Sequence, residues 1–223
     1  MLRLLLLAPW AALPAWAAPP VDEPGWRQRW RDDESEITVW LRERPDGLPE
    51  FLAVTRVKVR MQTLVALLND TAAMSRWVYR TREVQVLQAP DPTRGLVRVL
   101  TGMPWPLSDR EAIVDWRLTQ DAGTAEVRLD GRSAADKAAP MAGVVRMPQF
   151  GSSWRFVPQA DGWVEVRFAG FGHLGGNLSW GPLQAFVNSA SWVAPYETVK
   201  GLKLMIRQPR YRDASVAGIR EPR

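Results

Sequence analysis

The spacing of apolar and polar residues changes along the chain and predicts a hairpin first. Residues 37–42 alternate apolar and polar side chains, as in a strand with one buried face. Residues 51–60 repeat this pattern after the turn signal Pro45-Asp46-Gly47. The two segments therefore predict a β-hairpin. Residues 26–34, which are polar and charged, predict a short helix before it.

Two helical segments are expected after the hairpin. Leu64, Leu67 and Leu68 share one face of a helix over residues 61–69. Asp70 or Thr71 is expected to cap a second short helix that ends near Trp77.

Most of residues 82–171 has the pattern of β-strands. Val127 and Leu129 alternate with charged neighbours, which is typical of an antiparallel sheet with one dry face and one wet face. Turn signals rich in Pro, Gly and Asp separate six predicted strands. These are residues 83–88, 95–102, 110–120, 124–132, 147–157 and 163–171.

The longest helical stretch, residues 180–206, lies near the C-terminus. At 1.5 Å per residue it would be about 40 Å long, enough to cover a whole sheet. Pro195 is expected to kink it, because the proline ring removes a backbone hydrogen bond. The predicted fold class is α+β, with a curved antiparallel sheet wrapped around a long kinked C-terminal helix. Residues 207–223 are expected to form a basic tail that frays.

The first residues have the pattern of an export signal. Arg3 precedes an apolar run, and Ala15-Trp16-Ala17 has the small-x-small pattern of a cleavage site. The run is too short to span a bilayer, which disfavours a retained anchor. A buried N-terminal helix is the other alternative. We therefore expect residues 1–17 to be a signal peptide, residues 18–206 to form one domain, and the mature protein to be soluble in the periplasm or outside the cell.

Composition excludes several classes of function. The chain has no cysteine, which excludes disulfides, thiol nucleophiles and thiolate metal sites. Its 29 Lys and Arg residues outnumber 24 Asp and Glu, yet they are scattered, without the basic stripe or motif of a nucleic-acid-binding protein. The excess charge indicates either attraction to anionic lipid head groups or an ordinary solvated surface.

A catalytic constellation is hard to assemble from this sequence. His173, the only histidine, lies in a glycine-rich segment typical of a turn, and Ser179 is not in a Gly-x-Ser-x-Gly motif. The sequence predicts no catalytic residue, metal or cofactor. Its twelve tryptophans and its apolar strands instead favour a cavity for a hydrophobic ligand.

Several local patterns follow one another along the chain. They are Asn69-Asp70 before Met74-Ser75-Arg76-Trp77, Met103-Pro104-Trp105-Pro106-Leu107-Ser108-Asp109-Arg110-Glu111, Val144-Val145-Arg146-Met147, Gly151-Ser152-Ser153-Trp154, Gly175-Gly176, Pro182 and Phe186-Val187-Asn188. Together with the order of elements, these patterns resemble the START (StAR-related lipid-transfer) domain, in its bacterial single-domain exported type.

The resemblance covers about residues 37–206 and implies a helix-grip fold. It also implies binding and transfer of a sterol, phospholipid or similar molecule, without catalysis. Cyclases and aromatases of the wider superfamily leave an enzyme as the alternative, and a ligand-gated sensor is a third.

The resemblance also suggests site residues. Arg110 occupies an Arg-acid step whose arginine faces the cavity in some sterol-binding relatives. This sequence departs from the family at the next position, where Glu111 replaces the common Asp. Two roles remain open for Arg110, one in the cavity and one in locking a turn. Residues 134–143, which include Met141, are either a lid over the cavity or an ordinary surface connection. The expected ligand-binding residues are Arg110, Trp105, Met141, Phe186 and Asn188.

Overall fold

The computed structural model describes residues 24–176 and 181–222, without the side chains of residues 181–185. The expected signal peptide, residues 1–17, lies outside the described residues. The strands are β1 (Arg27–Asp32), β2 (Ile37–Glu43), β3 (Pro49–Lys58), β4 (Thr81–Asp91), β5 (Arg94–Thr101), β6 (Arg110–Gln120), β7 (Val127–Ser133), β8 (Val145–Arg146), β9 (Gln149–Pro158) and β10 (Trp163–His173). The helices are α1 (Met61–Asn69), a 3₁₀ helix (Thr71–Arg76), α2 (Gly181–Met205) and α3 (Pro209–Arg212), with single 3₁₀ turns at Ala135–Lys137 and Ala160–Gly162.

The strands form one curved sheet in the order β1-β2-β3-β10-β9-β7-β6-β5-β4. Neighbours along this path pair antiparallel, and the short β8 pairs parallel with β6. The first hairpin joins the end of the meander because β3 pairs with β10, from Lys58 opposite Trp163 to Glu50 opposite Phe171. The sheet carries α2 on one side. The predicted α+β helix-grip fold is confirmed.

The hydrophobic core lies between this sheet and the helices. Leu64 and Leu67 of α1 and Leu202 of α2 are fully buried and belong to one cluster with Phe156 and Val166 of the sheet. Residues 186–194, in the first half of α2, are instead half-buried or exposed. The helix continues through Pro195, and the expected kink stays a prediction.

The prediction of a helix over residues 26–34 is wrong, because this segment forms the edge strand β1. Its backbone pairs with β2, from Arg27 opposite Leu41 to Asp32 opposite Ile37. Trp30 stacks on Trp192 of α2, with 4.9 Å between the ring centroids. Local composition favoured a helix, but the free edge of β2 offers hydrogen bonds to a strand, and this tertiary pairing prevails.

The C-terminal segment packs on α1, so the expectation that it frays is also wrong. Tyr211 and Ile219 are buried and belong to the main core cluster. The Glu221 carboxylate accepts hydrogen bonds from the backbone N–H groups of Met61 (2.8 Å) and Gln62 (3.1 Å). Arg60, at the N-cap position of α1, makes no side-chain cap. Glu221 therefore satisfies amides that a helix start leaves without partners.

Removing residues 209–223 should lower the free energy of unfolding by at least about 3 kcal/mol. The deletion takes two buried apolar side chains from the core, each worth roughly 1.5–3 kcal/mol, and removes the helix cap, worth about 1 kcal/mol. Urea unfolding followed by circular dichroism measures the change. Deletion of residues 222–223 alone is the matched control and should leave the midpoint unchanged. Equal midpoints for both deletions would contradict a structural role for this segment.

Candidate hydrophobic ligand site

A cavity of about 390 Å³ lies between the sheet, the 3₁₀ helix and α2. Its volume is within the usual range of small-molecule sites, roughly 300–1,000 Å³. Val97 and Val99 of β5 and Val114 and Trp116 of β6 line one wall. Leu68, Met74 and Val78 close it from the side of the helices.

The strand periodicity explains why these residues share one face. Residues two apart on a strand point to the same side of the sheet, and Val97 lies opposite Val114 in the register. Their chain neighbours Leu96 and Ile113 are buried in a separate cluster on the other face. One face of these strands thus lines the cavity, and the opposite face packs in a second hydrophobic layer.

Gly131 brings two strands close together at the cavity wall. A Cβ atom at this position would lie 2.9 Å from Ser152 Oγ and 2.9 Å from a methyl group of Val114. This contact is too close for a side chain to fit without displacing its neighbours. Glycine here preserves the shape of the wall.

Three aromatic rings form a connected part of the cavity wall. Trp154 stacks on Phe168 with 4.0 Å between ring centroids and an interplanar angle of 12°. Trp77 meets Trp154 edge-on at 5.9 Å. All three residues line the cavity. Large interlocked rings have few rotamers, so this wall is rigid as well as apolar.

Polar groups at the cavity wall are few, and the charged group lies at its rim. Among the lining residues that the structure describes, Asp91 alone is charged. Hydrogen bonds from Thr93, with an ion pair to Arg94 at 2.7 Å, lower the pKa of Asp91. Thr198 Oγ1 accepts a hydrogen bond from Tyr79 N–H at 3.1 Å. The interior therefore favours an uncharged, hydrophobic body.

Arg110 lies outside this lining and holds a turn. Its side chain is buried, and Nε donates to the carbonyl oxygen of Leu174 at 2.7 Å. Another guanidinium nitrogen donates to the carbonyl oxygen of Ser108. Burial lowers the pKa of Arg110. This geometry supports the turn-locking alternative, because both contacts tie β6 to neighbouring loops.

The other expected ligand-binding residues also lie elsewhere. Trp105 is 93% exposed in the loop between β5 and β6. Phe186 is half-buried near the guanidinium of Arg80, and Asn188 is exposed. None of the five expected residues, Arg110, Trp105, Met141, Phe186 and Asn188, is among the described cavity-lining residues. These expectations came from motif positions, whereas the cavity depends on strand faces.

Residues 134–143, the expected lid, are held by a buried charge cluster of Glu111, Arg98 and Arg146. Glu111 is fully buried and forms ion pairs with Arg98 (3.1 Å) and Arg146 (3.0 Å). It also accepts a hydrogen bond from Met141 N–H at 2.8 Å. Both arginines donate to the carbonyl oxygen of Ala139. We call these three charged residues the Glu111 cluster.

The same loop packs on the face of the sheet opposite to the cavity. Ala134 is buried in a cluster with Leu96 and Ile113, and neither of these residues lines the cavity. This position favours the alternative of an ordinary connection over that of a lid on the cavity. One signal was present in the sequence, because the acid Glu111 directly precedes the apolar run 112–114 of β6. Its two arginine partners lie on other strands.

The curved ten-stranded sheet and the long C-terminal helix form the helix-grip fold that START domains have. The crystal structure of a STAR-related lipid transfer protein fragment from Xanthomonas axonopodis is similar, with a TM-score of 0.72 and 27% identity over 82% of this chain and 99% of that one. The crystal structure of human STARD10 has a TM-score of 0.71 and 17% identity over 86% of this chain and 77% of that one.

Sequence comparison gives one further relative. An uncharacterized protein of Pseudomonas aeruginosa is 26% identical over 179 residues, which is 77% of this chain and 82% of that protein. No family model matches the sequence. Among the helices that the structure describes, none combines the length and the apolar character needed to span a membrane.

Proposed function

We propose that this protein binds a lipid or another hydrophobic molecule in its cavity and carries it through the periplasm. The observation that supports this most is the cavity itself, which Val97, Val99, Val114 and Leu129 line together with stacked aromatic rings. Burial of apolar ligand surface there provides the main driving force for binding. The similar Xanthomonas protein is described as a lipid transfer protein.

Export and membrane contact complete the proposal. Residues 1–17 act as a signal peptide, so the mature chain begins near Ala18 in the periplasm. A carrier must exchange its ligand with a bilayer, so contact with the membrane surface is transient. Nucleic acid is not a partner in this proposal.

An enzyme of the cyclase or aromatase type is the alternative. Such an enzyme would need an acid or base beside the bound ligand. In the described part of the cavity wall the charged candidate is Asp91, which is engaged by Thr93 and Arg94 at the rim. The Nδ1 atom of His173, the last residue of β10, accepts a hydrogen bond from Gly175 N–H at 3.0 Å and lies outside the described lining. These contacts favour the binding protein.

Native mass spectrometry of the protein purified from its own periplasm tests the proposal. We expect a chain that starts near Ala18 and carries a bound hydrophobic molecule, which organic extraction identifies. The extracted molecule should be unchanged after incubation with the purified protein. Chemical conversion would favour the enzyme. A protein that remains empty and takes up no sterol, phospholipid, fatty acid or quinone would contradict ligand binding.

A further inference from the structure

A second concave site lies at the other end of α1 from the cavity. Leu68 and Asn69, at the end of α1, line the cavity, whereas Arg60 and Thr63, at its start, line a separate groove of about 740 Å³. The ends of β3 and α2 and the start of β10 complete this groove. We call it the basic groove.

The basic groove has an excess of positive charge. Six of its described lining residues are basic, and two are acidic. Both acids are already paired within the groove, Glu36 with Arg56 at 2.9 Å and Asp213 with Arg212 at 3.1 Å. The other four cations are Lys58, Arg60, Lys203 and Arg207.

Two of these four cations contact only uncharged oxygens among the described residues. Arg60 donates to the carbonyl oxygens of Arg212 and Ala214, both at 2.7 Å. Lys203 donates to the carbonyl oxygen of Ser35 at 2.7 Å and to Thr55 Oγ1 at 3.1 Å. Burial lowers the pKa of Lys203, and the nearby carboxylate of Glu36 opposes this shift. Neither Arg60 nor Lys203 forms an ion pair with a described residue, so the basic groove keeps its net excess of positive charge and would attract an anion.

Exposed basic side chains and an aromatic ring lie together at the rim of the basic groove. Lys58 and Arg207 are exposed and form no ion pair with a described residue. Trp163 forms part of the wall, with the guanidinium of Arg56 4.6 Å from its ring centroid. Exposed basic side chains beside a tryptophan are the combination found where proteins meet the head-group region of a bilayer.

We propose that the basic groove binds phosphate head groups of an anionic phospholipid bilayer, with Lys58 and Arg207 as the outer contacts. This inference deepens the membrane contact proposed above and is independent of which ligand fills the cavity. A bilayer suits the groove better than a single small anion. Its half-buried cation, Lys203, already has protein acceptors, and the unpaired cations Lys58 and Arg207 are exposed.

The basic groove and one border of the cavity lie at the same end of the sheet. Lys58 lies opposite Trp163 at one end of the sheet. The turn between β4 and β5 lies at the same end of the antiparallel sheet, and Asp91 at this turn borders the cavity. Docking through the basic groove would bring this end of the sheet, and with it that side of the cavity, towards the bilayer.

Vesicle flotation with the full mature chain tests the proposal. The wild type should bind vesicles of equal parts phosphatidylcholine and phosphatidylglycerol, bind pure phosphatidylcholine vesicles weakly, and lose binding as salt is raised. The double variant Lys58→Gln and Arg207→Gln should bind the anionic vesicles roughly thirtyfold more weakly, since each basic residue at such a surface contributes about 1 kcal/mol. Both side chains are exposed, so the melting temperature should not change.

The matched control removes two charges from the opposite end of the sheet. Arg27 and Arg132 are exposed there, and Arg27→Gln with Arg132→Gln gives the same net charge as the test variant. Equal loss of binding in test and control would overturn the proposal in favour of a general charge effect. Full displacement from the vesicles by inorganic phosphate at constant ionic strength would overturn it in favour of a small-anion site. The test variant should bind a fluorescent lipid in the cavity like the wild type, which separates this result from a failure of the cavity proposal.

Discussion

Replacing Leu129 with Trp should weaken the binding of a fluorescent lipid roughly fiftyfold or more. Leu129 lies in the middle of β7, between Leu118 and Trp154 in the register, and lines the cavity. An indole group there occupies the space of the ligand. Displacing about 100 Å² of apolar contact at about 25 cal/mol per Å² removes about 2.5 kcal/mol of binding free energy. Fluorescence titration measures the Kd.

The same substitution at Leu204 is the matched control. Leu204 lies on α2, is 61% exposed and does not line the cavity. Leu204→Trp should leave the affinity unchanged. Leu129→Trp should also change the free energy of unfolding by less than about 1.5 kcal/mol, because the added ring enters open space rather than a packed core. If both variants bound like the wild type, the cavity would not be the ligand site.

Replacing Glu111 with Ala should lower the free energy of unfolding by about 3–5 kcal/mol, the usual cost of removing one partner from a buried ion pair. The reason is that Arg98 and Arg146, which are largely shielded from water, would lose their counter-charge. The loop that contains Met141 would also lose the carboxylate that accepts its backbone N–H. Urea unfolding gives the stability, and hydrogen exchange of residues 134–143 should report the freed loop.

Asp115→Ala is the control for Glu111→Ala. Asp115 also lies on β6 and also contacts this loop, through Lys137 at 2.8 Å, but both of these side chains are about half-exposed. Water screens such a pair, so its removal should change stability little. A similar loss for both variants would show that the buried position of the Glu111 cluster is not what stabilises the loop.

Local patterns were sufficient for most secondary structure. Helix α1 occupies the predicted residues 61–69, and β6 occupies the predicted residues 110–120. Asp70 accepts a hydrogen bond from Ala73 N–H, as expected of a cap for the short helix before Trp77. Periodicity and capping act within a few residues, so a single sequence carries them in full.

Contacts between distant segments were not predictable in this way. The capping of α1 by Glu221 joins residues about 160 positions apart. The two arginines of the Glu111 cluster come from β5 and β8. Neither partner of such a contact shows a local sign of the other. Residues 207–223 were therefore expected to fray, and residues 134–143 were left as a lid or a surface connection.

The sequence by itself determined most of the strands, the two main helices and their order, but not the edge strand β1 or the short β8. Alternation and helical spacing encode these features directly, and the resemblance to the START domain follows their order. Only the tertiary structure decided that the dry side encloses a cavity bordered by Leu129 and Trp154, and that Arg110 and Met141 lie outside its described lining. A cavity remains where the side chains of the sheet and the helices together do not fill the space between them. Their total volume comes from elements far apart in sequence, and no local pattern contains it.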